Sequence, residues 1–356
     1  MDVFSLLQEA KLKKASDLHL VVSSPPLLRV NGSLESVNGT TPLTPTEISQ
    51  AFLQITSPEE RESFTRHLEL DFGYTLPDGT RIRCNAAQQR GAISLAMRLL
   101  PPKIPSLDEL ELPQICKELV LKPRGLVIVT GPTGSGKTTT QAAMIQHLNA
   151  NRSCHVVTIE DPIEYVFPSL NCAITQRQLG TDTLSFAQAL KHVLRQDPDV
   201  ILVGEMRDLD TAAAVLSIAE TGHMILSTGH APSTYQAIER IIDLFPPHER
   251  FLAQTRLASL LVGVLCQALV PRADRPGRVA AVEIMLANPP VRNLIREGKI
   301  YQLPNVIRTH REIGMISLDE ALVDLYLRQV ISGETLLNIC NDRQEVEKLI
   351  GRVTVH

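Results

Sequence analysis

Residues 126–141 read LVIVTGPTGSGKTTTQ, an apolar run followed by glycines, a lysine and three threonines. The segment 131–138, GPTGSGKT, fits G-x-x-x-x-G-K-[ST], with a buried-strand pattern before it and a helical pattern after it. Gly131, Gly134 and Gly136 let the backbone turn tightly and expose its N–H groups. Those groups and the start of the following helix form an anion cradle, which also takes in Thr133, Ser135 and Thr139. Lys137 is placed to reach the β- and γ-phosphates, and the Thr138 hydroxyl to ligate Mg²⁺. The expected ligand is a nucleoside triphosphate; the motif does not say what work its hydrolysis does.

Outward from this loop, the apolar runs LVIVT, HVVTI, DVILVG and MILST alternate with helical stretches, the pattern of a mostly parallel sheet covered by helices. Acids stand at the ends of two of these runs. VVTIEDPIEY (156–165) ends in Glu160, Asp161 and Glu164, and DPDVILVGEMRD (197–208) carries Glu205. The C-terminal ends of parallel strands line the ligand crevice of such sheets. One acid there can support the Mg²⁺ shell and another can polarise the attacking water. In AETGHMILSTGHAPS (219–233), His223 and His230 bracket the next strand and suggest a sensor at the γ-phosphate. From about residue 233 the pattern is mainly helical, including ERFLAQTRLASLLVGVL (249–265).

A chain of 356 residues favours two domains. Residues 1–100 alternate short strand patterns with capped helices and read as a small α+β domain. LPPKIPSLDELELP (100–113) holds four prolines, so residues 101–124 are expected to be a linker or hinge, with the nucleotide domain at 125–356. Net charge is -4, pI is about 6.2, and there is no Trp. This argues against a nucleic-acid track built on basic charge and aromatic stacking. The six cysteines include no C-x-x-C pair, so reduced bystander thiols are expected rather than a zinc ribbon. The N-terminus has no signal-peptide pattern, and the longest apolar stretch, LASLLVGVLCQALV (257–270), is too short for a bilayer and interrupted by Gln267. A soluble, cytoplasmic protein without direct membrane insertion is expected.

Four segments together, GPTGSGKTTT, TIEDPIEYVF, LRQDPDVILVGEMRD and AETGHMILSTGHA, resemble the Walker A, Asp box, Walker B and His box of the secretion ATPase superfamily of type II and IV secretion and type IV pili. ASDLHLVVSSPPLLRVNG, ERIIDLFPPHER and VRNLIREGKIYQL (291–303) are similar to its pilus retraction branch, and the resemblance covers nearly the whole chain. It implies an α/β chain: a PAS-like N-terminal domain joined to a RecA-like P-loop ATPase domain, assembled as a homo-hexamer. The implied activity is ATP hydrolysis driving type IV pilus retraction and twitching motility, at the cytoplasmic face of the inner membrane, against the membrane platform protein of the pilus base. The alternative is a short secretion or conjugation ATPase of the same superfamily.

The resemblance also implies residue roles. Glu164 would orient the lytic water, Glu205 would support Mg²⁺, and His230 would contact the γ-phosphate region. Arg81, Arg83 and Arg98, within RIRCNAAQQRGAISLAMR (81–98), would supply positive charge to the nucleotide. The family's T-L-H-T is Thr228-Gly229-His230-Ala231 here; the glycine is expected to loosen the backbone before the histidine. In PPVRNLIREGK (289–299), reversing the charge of Arg292 and Arg296 is expected to spare ATP turnover and abolish retraction.

Overall fold

Thr44 and Ser57 each begin a helix by the same device. Each side chain accepts the N–H of a glutamate three residues on, Glu47 or Glu60, whose carboxylate returns to the cap backbone. The helices Pro45–Ile55 and Pro58–His67 follow, each with proline in its first turn. In the computed structural model, which describes residues 2–30, 32–100 and 103–353, they belong to the first of two units, Met1–Lys103 with Pro162–Val166. The second unit is Ile104–Asp161 with Phe167–His356.

The first unit holds strands β1 (Asp17–Leu20), β2 (Leu27–Val30), β3 (Ser33–Ser36), β4 (Glu69–Thr75), β5 (Arg81–Gln89) and β6 (Ala92–Leu99). They form one antiparallel sheet in the order β3-β2-β1-β6-β5-β4. Leu18, Ile82, Leu95 and Met97 are fully buried on its inner face, each worth roughly 1.5–3 kcal/mol of burial. Period-two alternation puts Arg81 and Arg83 on the other face.

The second unit carries β7 (Gly125–Thr130), β8 (His155–Glu160), β9 (Ala173–Gln178), β10 (Val200–Val203), β11 (Met224–Thr228), β12 (Leu261–Pro271) and β13 (Arg278–Leu286). Their order is β13-β12-β7-β11-β10-β8-β9, with all neighbours parallel except β12 and β13. Every residue of β7 is buried, as a central strand covered on both faces demands. The fold class is α/β, with a mostly parallel sheet covered by helices in the second unit.

Several elements differ from the sequence reading, including the strands β9 and β13, which it did not expect. The stretch 249–265 is not one helix. The helix Arg250–Leu260 stops, and β12 inserts between β7 and β13. Helix and buried strand carry the same apolar signal over a short run, and only the partner strands decide. The expected hinge also differs. Residues 104–124 lie in the second unit, where Leu107, Leu112, Cys116, Leu119 and Val120 are buried. The prolines there shape a packed strap rather than a free linker. Pro101 and Pro102 lie outside the described residues.

Candidate nucleotide site

The loop 131–136 leaves the C-terminal end of β7 and enters the helix Lys137–Asn151. Gly131, Gly134 and Gly136 have φ of +138°, +78° and +89°, which L side chains rarely adopt. Gly131 has a second constraint, because a Cβ there would collide with the carbonyl oxygen of Gln267. The Lys137 ammonium is buried and donates to the carbonyls of Gly131 (2.8 Å) and Pro132 (3.0 Å). Burial lowers its pKa, while Cys266 and the Glu205 carboxylate act the other way.

The residues present fit a polyphosphate. The Ser135 hydroxyl is buried and has no hydrogen-bond partner, an unspent donor inside the loop. The loop would hold the phosphates with its backbone N–H groups and Lys137. Thr138 and Glu205 offer one hydroxyl and one carboxylate, oxygen chemistry that Mg²⁺ takes. A cavity of about 270 Å³ opens beside the loop, lined by Gly136, Thr139, Leu110, Leu269, Arg272 and others.

The parallel strands β7, β11, β10 and β8 end together, at Thr130, Thr228, Val203 and Glu160. Glu205 follows β10 by two residues, and its carboxylate accepts from His230 Nε2 at 3.2 Å and pairs with Arg207. The sheet thus brings Glu205 and His230 into one hydrogen-bonded pair at the end of the sheet that carries the phosphate loop. Glu160 is buried and accepts from Thr158 Oγ1 (2.6 Å) and Gln176 Nε2 (3.1 Å). His223 lies elsewhere. It precedes β11, and its carbonyl accepts the N–H of Gly125 at the start of β7, the opposite end of the sheet from the loop. The pairing of His223 with His230 as a phosphate sensor is therefore corrected.

Glu164 lies in the first unit, with its carboxylate 3.9 Å from Arg83 Nη1. Arg83 and Arg98 are direct cross-strand partners, and Asp17 faces Arg98 in turn. Arg98 Nε donates to Asp17 at 2.9 Å, and Arg81 Nη1 donates to Thr75 at 2.8 Å. The three arginines therefore share one face of the first unit's sheet.

Arg292 is a structural cap. In the helix Pro289–Arg296, its guanidinium donates to the carbonyls of Ala258, Ser259 and Leu261 at 2.5, 2.7 and 2.9 Å, closing the C-terminus of the helix Arg250–Leu260. The expectation that reversing both charges spares ATP turnover therefore bears differently on the two residues, because Arg292 holds a helix end. Among the described residues, Arg296 donates to Asn293 within its own helix (3.0 Å).

Sequence reasoning did not give a role to Gln267, although it noticed an amide in an apolar run. It also passed over Thr130, whose hydroxyl joins the loop's entry to the residue after His230. The signal for both was a polar side chain inside a buried strand, which must find a partner.

The model of the family described as Type II/IV secretion system protein matches residues 80–293. The chain is 42% identical to the type IV pilus retractation ATPase PilT of Pseudomonas aeruginosa, over 94% of this chain and 96% of that protein. It is 40% identical to a twitching motility protein of Neisseria gonorrhoeae, over 93% of this chain and 88% of that one. Among solved structures, the pilus retraction motor PilT with bound ADP superposes with a TM-score of 0.90 at 38% identity, covering 98% of this chain and 99% of that one.

Proposed function

We propose, proceeding from the fact that this chain belongs to the Type II/IV secretion system protein family, that it is an ATP-hydrolysing motor for type IV pilus retraction. The observation that carries this reading is the phosphate loop with its buried lysine, at the same sheet end as the Glu205–His230 pair. The likeness to PilT over almost its full length supports the choice of work.

ATP is the ligand. Backbone N–H groups of residues 131–136 and the Lys137 ammonium hold its phosphates, and the Ser135 hydroxyl gains the partner it lacks. The cavity flanked by Leu110 and Leu269 is open to the nucleoside end. Thr138 and Glu205 would hold Mg²⁺, which would supply charge neutralisation on the phosphates. His230, held by Glu205, presents its ring toward the γ-phosphate. Glu164 orients the lytic water, and Arg81, Arg83 and Arg98 contribute cationic charge as that of the transferred group redistributes.

The working assembly is a homo-hexamer acting on the inner-membrane platform protein of the pilus base, peripheral to the cytoplasmic face of the membrane. Among the described residues no helix is long and apolar enough to cross a membrane. The test is deletion in the source organism, scored for surface pili together with phosphate release by the purified chain. A retraction motor's loss leaves excess, immobile pili. Loss of protein export with unchanged pili would move the chain to the secretion branch, and absence of phosphate release would remove the motor reading.

A further inference from the structure

Gln267 is an amide in an otherwise apolar strand, LVGVLCQALVP, and it is 3% exposed. Both halves of that amide are spent on the phosphate loop. Its Oε1 accepts the hydroxyl of Thr140 at 2.9 Å, in the first turn of the following helix. Its Nε2 donates to the carbonyl of Ser135 at 2.8 Å. Its backbone carbonyl fills the space that a Cβ on Gly131 would need, and Nε2 lies 3.0 Å from where a Cβ on Gly136 would stand. Register explains the reach. Cys266 pairs with Thr130, so Gln267 stands just beyond the last residue of β7, where the loop begins.

We propose that Gln267 is a positioning residue for nucleotide binding. The argument rests on the reading of residues 131–138 as a triphosphate cradle. A trans peptide points its C=O and the next N–H in opposite directions. By holding the Ser135 carbonyl, Gln267 turns the Gly136 N–H away from β12, leaving it available to a phosphate oxygen. The Thr140 bond fixes the start of the helix against the same side chain. A loop with three glycines at positive φ has many other conformations open to it, and the clamp removes them before the ligand arrives. Gln267 touches no phosphate itself. It acts through Ser135 and Gly136, so it should set affinity rather than the chemical step.

The experiment compares the full chain with Gln267→Met, Thr140→Val and the double variant, by ADP titration calorimetry and steady-state ATP hydrolysis. Gln267→Met keeps the volume and loses both bonds. It should weaken ADP binding about tenfold and raise KM for ATP similarly, with kcat within about twofold, the pattern of lost uniform binding. Thr140→Val should weaken ADP about threefold, and the double variant should be no weaker than Gln267→Met, because both act through one hydrogen-bonded chain. ADP affinity of Gln267→Met within about twofold of wild type, a fall in kcat with unchanged KM, or fully additive effects would each overturn the proposal. Should Gln267→Met not fold, Thr140→Val decides alone, and unchanged ADP affinity overturns it. Wild type that binds ADP beside an unaffected variant refutes only the clamp. Wild type that binds no ADP refutes the nucleotide reading, and the clamp with it.

Discussion

The hydroxyl of Thr130 accepts the N–H of Ala231 at 2.8 Å and donates to its carbonyl at 3.0 Å. One buried side chain thus ties the residue before the phosphate loop to the residue after His230, across neighbouring strands β7 and β11.

Thr130→Val keeps the shape and leaves both polar groups of Ala231 buried without that partner. It should cost about 1–3 kcal/mol, read by urea unfolding. ATP turnover should fall as well, because the backbone beside His230 loses an anchor. Wild-type turnover in this variant would mean that the strand ladder alone holds the histidine.

Gly229 has φ outside the left-handed region, so its backbone conformation does not itself require a glycine. A Cβ there would stand 3.2 Å from Thr130 Oγ1, and that hydroxyl is held by two hydrogen bonds. Gly229→Leu, which restores the family's usual residue, should destabilise this chain by about 1–3 kcal/mol through overpacking. Thermal unfolding checks it; an unchanged or raised midpoint would show that the site has room.

Glu205→Ala removes the carboxylate that holds His230 and that partly offsets the lowering of the Lys137 pKa by burial. ATP hydrolysis should fall about 100-fold or more, within the range for a lost proton-transfer or metal-supporting group. Its effect and that of His230→Ala should not add, because the two side chains form one pair 3.2 Å apart. Phosphate release from both variants equal to wild type would take the pair out of the mechanism.

Arg292→Glu and Arg296→Glu should separate. The first removes three bonds to helix-end carbonyls and places an acid against them, which should cost about 3 kcal/mol or more and lower ATP turnover through misfolding. The second disturbs one bond within its own helix and should leave stability within about 0.5 kcal/mol. Only Arg296→Glu is then a clean probe of whether this helix serves retraction apart from ATP turnover. Equal melting temperatures for the two variants would contradict the cap.

The phosphate loop, the four parallel strands around it and the acids at their ends were legible because each rests on local chemistry. Glycines at required backbone angles, a lysine at fixed spacing and apolar runs of strand length are properties of neighbours in sequence. β9, β12, β13 and the packed strap 104–124 were not legible as such. A strand beside a partner far along the chain and a proline-rich stretch lying on a core carry the same local signals as a helix end or a linker.

The sequence alone therefore determined the phosphate-binding chemistry, the α/β class and the family. The tertiary structure decided the rest: that His230 and not His223 meets Glu205, that Arg292 closes a helix, that Gln267 braces the loop from the neighbouring strand, and that Thr130 ties the loop's entry to Ala231. Each of these joins residues about two dozen positions or more apart, and strand register or helix packing sets which side chains meet. A buried polar group must find a partner wherever the fold provides one, so its role appears only when the neighbouring strand is known.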